Sequence, residues 1–195
     1  MDISSLHRSM SFVFLCCLFL PGIAVAQLPN AAEAKDALVE FGKRVGKVPA
    51  SEIEVKAVVG CYPIANRPST DVICLLDAKN NEGKHEVGEI PFSRNNSRWS
   101  VLSAESSYSP ACPPKAEAES ILRQSLHDPK TTVTDVPEEG NLTDQRGMNR
   151  DKSGPMRLMC VYGVDGALGE RTVVGYFRFE AGKYLIDADA EVWSD

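Results

Sequence analysis

The stretch that decides the fold is MCVYGVDGALGERTVVGYFRFEAGKYLI, residues 159–186, because a weaker copy, ICLLDAKNNEGKHEVGEIPFSRNNSRWSV, occupies residues 73–101. When Cys160 is aligned with Cys74, several further positions match with small gaps. They are Val174-Gly175 with Val87-Gly88, Phe177 with Ile90, Phe179 with Phe92, Tyr184 with Trp99, and Ile186 with Val101. In each copy the Gly, the next matched residue and the Phe lie two positions apart, so a strand presents all three on one face. The pattern favours an internal duplication over two unrelated hairpins that match by coincidence.

A helix is predicted before each copy. Asn30 and Glu33 form a capping-box pattern with Asn as the cap, and Gly46 ends the helix. Between them lies an apolar stripe at helical spacing: Ala34, Leu38, Phe41 and Val45. A second helix is predicted between Pro114 and Pro129, since proline disfavours helical backbone in the residue before it. Its narrow inner stripe consists of Ala118, Ile121, Leu122 and Ser125.

Apolar runs predict four strands after each helix. The first set covers residues 53–59, 72–76, 87–92 and 99–102, and the second covers 131–136, 156–162, 171–179 and 183–190. The continuous apolar run over residues 72–76 is typical of a central strand. Pro91 has no amide donor, so we expect its strand, or that end of the strand, at a sheet edge. A helix that covers the apolar face of an antiparallel sheet is a frequent solution. The predicted fold class is therefore α+β, with two tandem repeats that each pack one helix on a four-stranded antiparallel meander.

The N-terminus is typical of a cleavable signal peptide. Arg8 gives a positive n-region, an apolar run follows over residues 10–20, and Ala24-Val25-Ala26 precedes Gln27 as a small-residue cleavage site. The apolar run is shorter than the roughly 20 residues that span a bilayer, and an uncleaved anchor is the alternative. We predict a signal peptide over residues 1–26, a first repeat over 27–103, a connector over 104–114 and a second repeat over 115–195. The protein is expected to be periplasmic or secreted, with no membrane span.

Four cysteines remain after removal of the signal peptide, and in an exported chain they indicate two disulfides with three possible pairings. We favour Cys61–Cys74, which closes a short loop, and Cys112–Cys160, which ties the connector to the second copy. The absence of a Cys-x-x-Cys motif argues against a redox or zinc role. The whole chain carries 27 acidic and 21 basic residues, a net charge of −6, without a basic stripe. This balance argues against a nucleic-acid partner.

No catalytic motif is recognisable. Neither a Gly-x-Ser-x-Gly elbow, nor His-Glu-x-x-His, nor a Gly-rich phosphate loop occurs, and the mature chain has only the histidines His85 and His127. A hydrolase that uses carboxylates alone leaves no sequence signature and stays as an alternative. Asp187, Asp189 and Glu191 alternate, which favours a solvated strand face over an acidic recognition patch or a metal site. We expect no enzyme activity, no metal and no cofactor.

The predicted arrangement resembles the bacterial exported inhibitors that are built from tandem helix-plus-four-strand repeats, such as the β-lactamase inhibitor proteins. The resemblance covers most of the mature chain in architecture, and a short loop-closing disulfide is shared with that family. No residue motif matches, so no functional residue is carried over. Single helix-on-sheet units of the cystatin type and lysozyme-inhibitor-like exported proteins of other folds are equally compatible. The resemblance implies a protein partner.

The leading hypothesis is a periplasmic binding protein without catalysis, an inhibitor or immunity protein that blocks a hydrolase by loop insertion. The target would be a cell-envelope toxin or a lysozyme-like enzyme. The polar loop 137–155 would present Glu138, Glu139 and Asp144 to basic groups, and Tyr62 in the Cys61–Cys74 loop would be an aromatic anchor. The alternative for this loop is a disordered insertion.

Two other functions remain open. An envelope module would bind a glycan, a lipid or a small ligand in a pocket lined by aromatic residues: Trp99, Tyr176, Phe177 and Tyr184. A carboxylate-based hydrolase would need two or three acids that converge in a cleft.

Overall fold

The described part of the chain contains two α-helices and ten strands. The computed structural model describes residues 28–46, 49–79, 83–103, 107–144, 156–186 and 191–193. In chain order the elements are α1 (Ala31–Val45), a short 3-10 helix (Ala50–Glu52), β1 (Val55–Pro63), β2 (Asp71–Lys79), β3 (His85–Asn95), β4 (Arg98–Val101), α2 (Lys115–Ser125), β5 (Thr132–Asp135), β6 (Asn141–Asp144), β7 (Met156–Asp165), β8 (Arg171–Glu180), β9 (Lys183–Ile186) and β10 (Glu191–Trp193). All described strand pairings are antiparallel. The α+β class is confirmed, while the predicted signal peptide lies outside the described residues.

Helix α1 begins and ends where its sequence signals predict. The Asn30 side chain accepts hydrogen bonds from the backbone amides of Ala32 and Glu33, both at 3.0 Å. The Glu33 carboxylate accepts one from the Asn30 amide at 2.9 Å, which completes the capping box. Gly46 adopts a left-handed conformation, with a φ of 66°, and its amide donates to the Gly42 carbonyl. This conformation suits glycine, because a side chain would be strained there.

The first sheet is the meander β1-β2-β3-β4, and its strand β2 is buried on both faces. Val72, Cys74 and Leu76 face α1 and belong to a first core that also contains Phe92 and Trp99. The alternate residues of β2 point to the opposite face and join a second core. The continuous apolar run that predicted a central strand therefore reflects burial from two sides.

The second sheet has six strands where four were predicted. Strand β7 pairs with β8, and both β5 and β6 pair with β7, at its two ends. Likewise β9 and β10 pair with the two ends of β8. One edge of the sheet is therefore formed by β5 and β6 in succession, and the other edge by β9 and β10. The sheet is four strands wide at any point. The four predicted strands correspond to β5, β7, β8 and β9, and the predicted last strand, residues 183–190, is described only as far as Ile186.

The strand pairing shifts part of the predicted residue alignment by two positions. Cys74 lies opposite Ile90 in the first sheet, whereas Cys160 lies opposite Gly175 in the second. If the cysteines are equivalent, Gly175 therefore corresponds to Ile90 and not to Gly88. With the cysteines as the reference, the two Val-Gly pairs are not structurally equivalent, because sequence similarity between short strands does not fix their register.

The second core joins the two halves of the described chain. It combines residues from β1 and β2 with residues from α2 and the second sheet, among them Tyr62, Leu75, Leu122, Leu158 and Phe177. The helix α2 contacts β5 and β9, and β1 contacts β7 and β8. Within the residues that are described, neither helix has the length and apolar character that a bilayer crossing requires. These contacts fix the position of the segment that connects the two sheets.

Candidate functional site at the connecting segment

The connecting segment, residues 109–112, lies between the edges of the two sheets. On one side the Ala65 amide donates to the Ser109 carbonyl at 3.0 Å, and the Ala111 amide donates to the Pro63 carbonyl at 2.8 Å. On the other side the Gly140 amide donates to the Pro110 carbonyl at 2.9 Å. The segment therefore links the end of β1 to residues 138–140 by backbone hydrogen bonds.

Side chains from the second sheet hold this segment in place. Cys112 forms a disulfide with Cys160 of β7, as predicted. The Tyr184 hydroxyl donates to the Ala111 carbonyl at 2.8 Å, and the Tyr162 hydroxyl donates to the Pro113 carbonyl at 3.3 Å. Burial raises the pKa of both tyrosine hydroxyls well above their ordinary range, so both stay protonated donors. A segment with these anchors presents its neighbours in a fixed geometry.

Gly140 packs closely against Leu158, Met159 and Cys160 of β7, and this packing requires a residue without a side chain. A Cβ atom at this position would lie 2.8 Å from the Met159 carbonyl oxygen and 2.9 Å from the Cys160 sulfur. It would also lie 2.4 Å from a methyl group of Leu158. The absent side chain therefore lets residues 138–140 pass directly over the Cys112–Cys160 disulfide.

The loop between β1 and β2, residues 64–70, is held by the Cys61–Cys74 disulfide and by an ion pair whose carboxylate is buried. Cys61 and Cys74 lie opposite each other in β1 and β2, and the structure contains the predicted bond between them. Next to it the Asp71 carboxylate, with a side chain only 4% exposed, lies 2.9 Å from the Arg67 guanidinium. The Ser93 hydroxyl donates to the same carboxylate at 2.7 Å. These bonds stabilise the loop although most of its residues are exposed.

The structure brings this loop next to two of the predicted partner-binding residues. Glu138 and Glu139 are exposed, and the Asn66 side-chain amide donates to the Glu138 carboxylate at 3.3 Å. Asp144 belongs to β6, opposite Met156, rather than to an irregular loop. The remainder of the predicted loop, residues 145–155, lies outside the described residues. We use the name loop surface for residues 65–70, 108–111 and 138–139.

Tyr62 does not belong to the loop surface. Strand β1 continues to Pro63, so Tyr62 is a strand residue opposite Ile73 rather than part of a turn-rich loop. Its side chain is 2% exposed and packs in the second core, where its hydroxyl donates to the Phe177 carbonyl at 3.4 Å. Tyr62 therefore joins the two sheets, and in this structure it is not accessible to a partner as an aromatic anchor.

Sequence reasoning missed Tyr108 and Arg67 as members of the loop surface. The Arg67 guanidinium lies 6.0 Å from the centroid of the Tyr108 ring, which is partly exposed. The ion pair between Arg67 and Asp71 had no usable signal in the sequence, because a spacing of four residues brings side chains together in a helix, whereas residues 64–70 form a loop. Tyr108 had no signal either, because it meets Arg67 only through the path of the connecting segment.

The aromatic residues of the ligand-pocket hypothesis lie in different places. Trp99 belongs to the first core, whereas Phe177 and Tyr184 belong to the second. Tyr176 has the opposite orientation to its neighbour Phe177, because side chains alternate along β8. The four residues therefore do not line one cavity.

Metal ligands are not grouped in the described part of the chain. In residues 28–186, with the gaps given above, and 191–193, no three His, Cys, Asp or Glu side chains lie together in a geometry that could hold an ion. Of the predicted acidic row, Glu191 is exposed in β10, and Asp187 and Asp189 lie outside the described residues.

Comparison with known proteins gives no family. No protein-family model, curated protein or solved structure matches the chain. The geometry itself defines an α+β protein with two disulfides. Its exposed loop surface lies between two antiparallel sheets and is held by the disulfides and by backbone hydrogen bonds.

Proposed function

We propose that this is an exported binding protein without catalysis of its own, an inhibitor or immunity protein that blocks a cell-envelope hydrolase. The observation that carries the proposal is the contact between Asn66 and Glu138, two residues 72 positions apart. It joins two exposed segments that are braced by separate disulfides. Disulfides are typical of proteins that fold outside the cytoplasm, which supports export to the periplasm or the medium.

The mechanism follows from rigidity and charge. A surface held by two disulfides and by tyrosine hydroxyls loses little conformational freedom when it enters a cleft, so more of the contact energy appears as affinity. Glu138 and Glu139 offer two exposed carboxylates, while the charge of Arg67 is compensated by Asp71. The loop surface is therefore complementary to the basic rim of a hydrolase cleft. Tyr108 and Arg67 supply the residue types that are enriched in binding hot spots.

We also propose that the two halves are a tandem repeat, in line with the tandem-repeat inhibitors that the predicted arrangement of helices and strands resembles. With the alignment shifted by two positions in β3, the paired residues of the two sheets correspond. Phe92 opposite Val101 then corresponds to Phe177 opposite Ile186. Phe92 and Phe177 are both fully buried, and each sheet is four positions wide behind one helix. These correspondences support the repeat.

Inhibition can be tested with a panel of cell-envelope hydrolases that includes peptidoglycan glycosidases, amidases and β-lactamases. We expect a one-to-one complex with at least one of them and loss of its activity at inhibitor concentrations below about 10 µM. The double variant Glu138→Lys with Glu139→Lys should weaken inhibition by about tenfold or more, mainly through slower association at low salt.

Glu170→Lys is the matched control for this experiment. Glu170 is an exposed carboxylate in the turn between β7 and β8, outside the loop surface, so its reversal should leave inhibition within about twofold. The control changes the net charge by two units and the double variant by four, so a loss of binding free energy in the control that is half the loss in the double variant would show that only net charge matters. If the protein itself turns over a substrate and this activity disappears when one carboxylate is replaced, the inhibitor function is wrong and the protein is a carboxylate-based hydrolase.

Export is tested separately by the N-terminus of the mature protein. Cleavage after Ala26 should leave Gln27 as the first residue in the periplasmic or secreted fraction. An intact N-terminus in the membrane fraction would indicate the uncleaved anchor instead.

A further inference from the structure

A groove of about 460 Å³ lies at the other end of the first sheet, between α1 and β3. Its wall is the apolar side of α1, with Leu38, Phe41 and Val45, and Val45 is 40% exposed. Its floor includes Ile90 and Gly88, and a Cβ atom at Gly88 would meet nothing within 4 Å. The floor is therefore open, because the strand has no side chain at this position.

The groove lies next to a strand edge whose backbone groups are available. β4 pairs with β3 only from Phe92 onward, and no described strand pairs with the outer edge of residues 85–90. Along β3 the Arg94 amide points to the β2 side, where it donates to Thr70, whereas the Pro91 carbonyl points to the outer side and accepts from Leu102. Because these directions alternate, the amides and carbonyls of residues 85, 87 and 89 point outward.

The charged residues around the groove are mainly acidic. The lining contains Glu52, Glu54, Glu86 and one cation, Lys79. Lys79 is already 3.5 Å from the carboxylate of Glu54. No described residue forms an ion pair with Glu52 or Glu86. Arg44 is a second cation next to the groove, since its guanidinium lies 5.2 Å from the centroid of the Phe41 ring. Three carboxylates against two cations leave a net negative charge, which attracts basic side chains.

We propose that this edge and groove bind an extended polypeptide segment in which apolar and basic residues alternate. A strand added to β3 supplies the main-chain donors and acceptors that residues 85, 87 and 89 require, which a lipid or a glycan does not. Every second side chain of the added strand then lies on the α1 face, where the open floor at Gly88 admits an apolar group. The other residues supply Lys or Arg to the acidic rim. This site is separate from the loop surface, since the two lie at opposite ends of β2, roughly 20 Å apart along the strand.

The probe is a synthetic heptapeptide in which Val or Leu alternates with Lys, added to the purified, isotope-labelled protein. Amide hydrogen exchange is measured with and without the peptide. Exchange at His85, Val87 and Glu89 should slow by about tenfold or more at saturation, whereas Glu86 and Gly88, whose amides point to β2, should change by less than about twofold. The same peptide with Glu in place of each Lys should bind about tenfold more weakly.

Two substitutions in β3 separate backbone pairing from groove filling. Val87→Pro removes one outward amide without removing a bond to β2, and Gly88→Val fills the floor. Each should raise the Kd of the Lys peptide by about tenfold, with thermal unfolding used to verify that the variant is folded. Glu138→Lys with Glu139→Lys should leave this Kd within about twofold, so failure here is distinguishable from failure of the proposed inhibitor function.

The proposal is overturned by a Kd above about 1 mM for the Lys peptide, or by binding that leaves the three outward amides unprotected. It is also overturned if the Glu peptide binds equally well. A dimer in sedimentation experiments that Val87→Pro abolishes would assign the edge to a second copy of the chain. An apolar dye that binds in the groove while the peptide does not would assign it to a small ligand.

Discussion

Replacing Gly140 by Ala should destabilise the protein far more than the same change at Gly88. The new Cβ at position 140 meets three atoms at 2.4, 2.8 and 2.9 Å, against an ordinary contact distance of at least 3.4 Å. Two of these atoms cannot move aside, because one is the Met159 backbone carbonyl and the other is the disulfide-bonded sulfur of Cys160. The third atom belongs to the Leu158 side chain, which is fully buried in the second core.

The magnitude follows from overpacking, which costs about 1–3 kcal/mol, and we expect the upper half of that range because the contacts are rigid. The loss of backbone freedom in the unfolded Ala variant offsets about 0.5 kcal/mol. A net loss of about 2 kcal/mol lowers the urea midpoint by about 1 M, if the slope is about 2 kcal/mol per M. Both variants are compared with the wild type by urea unfolding under non-reducing conditions.

Gly88→Ala is the matched control, since its Cβ meets nothing within 4 Å. We expect its midpoint within about 0.3 M of the wild type, or slightly higher. Equal midpoints for the two variants would refute the reasoning. They would mean that residues 138–140 do not pack on the disulfide, and the rigidity assigned to the loop surface would be lost with that contact.

Three further predictions concern the loop surface and the turn between β7 and β8. Arg67→Ala should lower the free energy of unfolding by about 1–2 kcal/mol, because it leaves the buried Asp71 carboxylate without its cation, although the Arg67 side chain is 44% exposed and Ser93 still donates to the carboxylate. Asp128→Asn should flatten the acid limb of the stability profile between about pH 5 and pH 2, measured by urea unfolding. Removal of the Cys112–Cys160 disulfide by paired Ala substitutions should cost about 1 kcal/mol more than removal of Cys61–Cys74, because the chain between its cysteines is longer, 48 residues of separation against 13.

The sign of the Asp128 effect follows from its hydrogen bonds. The Ala167 amide at 2.8 Å and the Lys130 amide at 3.0 Å hold the pKa of this carboxyl below its ordinary value, with a smaller contribution from Arg171. A lowered pKa in the folded state contributes stability above the ordinary pKa, and that contribution disappears as pH falls through the folded pKa. An acid limb that is equally steep in wild type and variant would contradict this.

The Arg67 and disulfide predictions have internal controls. Lys56→Ala breaks an ion pair with Asp77 whose lysine is 68% exposed, so it should cost less than about 1 kcal/mol. If Lys56→Ala lowers the free energy of unfolding as much as Arg67→Ala, the burial of Asp71 does not explain the effect of Arg67→Ala. For the disulfides, equal midpoints of the two paired variants would contradict the dependence on loop length.

Local signals in the sequence predicted the helices well. The Asn30 cap and the Gly46 stop act within one turn of α1, so nothing distant can override them easily. The apolar run of β2 likewise predicted its central place. Strands β6 and β10 were missed because β6 has a single apolar residue, Leu142, and β10 has only three residues, so neither shows an alternating apolar pattern. Their existence depends on tertiary pairing rather than on a pattern of their own.

The candidate site was predictable only in part, because its geometry also depends on tertiary contacts. The exposure of Glu138 and Glu139 follows from a polar segment, and both disulfide pairings followed from spacing and context. Tyr62 was assigned to a loop because Pro63 is a strand breaker, yet Pro63 is the last residue of β1. The meeting of Asn66 with Glu138 depends on the path of residues 109–112, which no local pattern specifies.

The two disulfides differ in what they hold, and this difference links stability to the proposed function. In the first sheet Cys61 lies directly opposite Cys74, so that bond joins two neighbouring strands that already pair. In the second sheet Asn141 lies opposite Met159, which brings Gly140, not a cysteine, next to Cys160. The sulfur of Cys160 is then free to bond Cys112 of the connecting segment. Loss of Cys112–Cys160 should therefore weaken partner binding more than loss of Cys61–Cys74, because the β1–β2 pairing still holds residues 64–70 when the Cys61–Cys74 bond is removed.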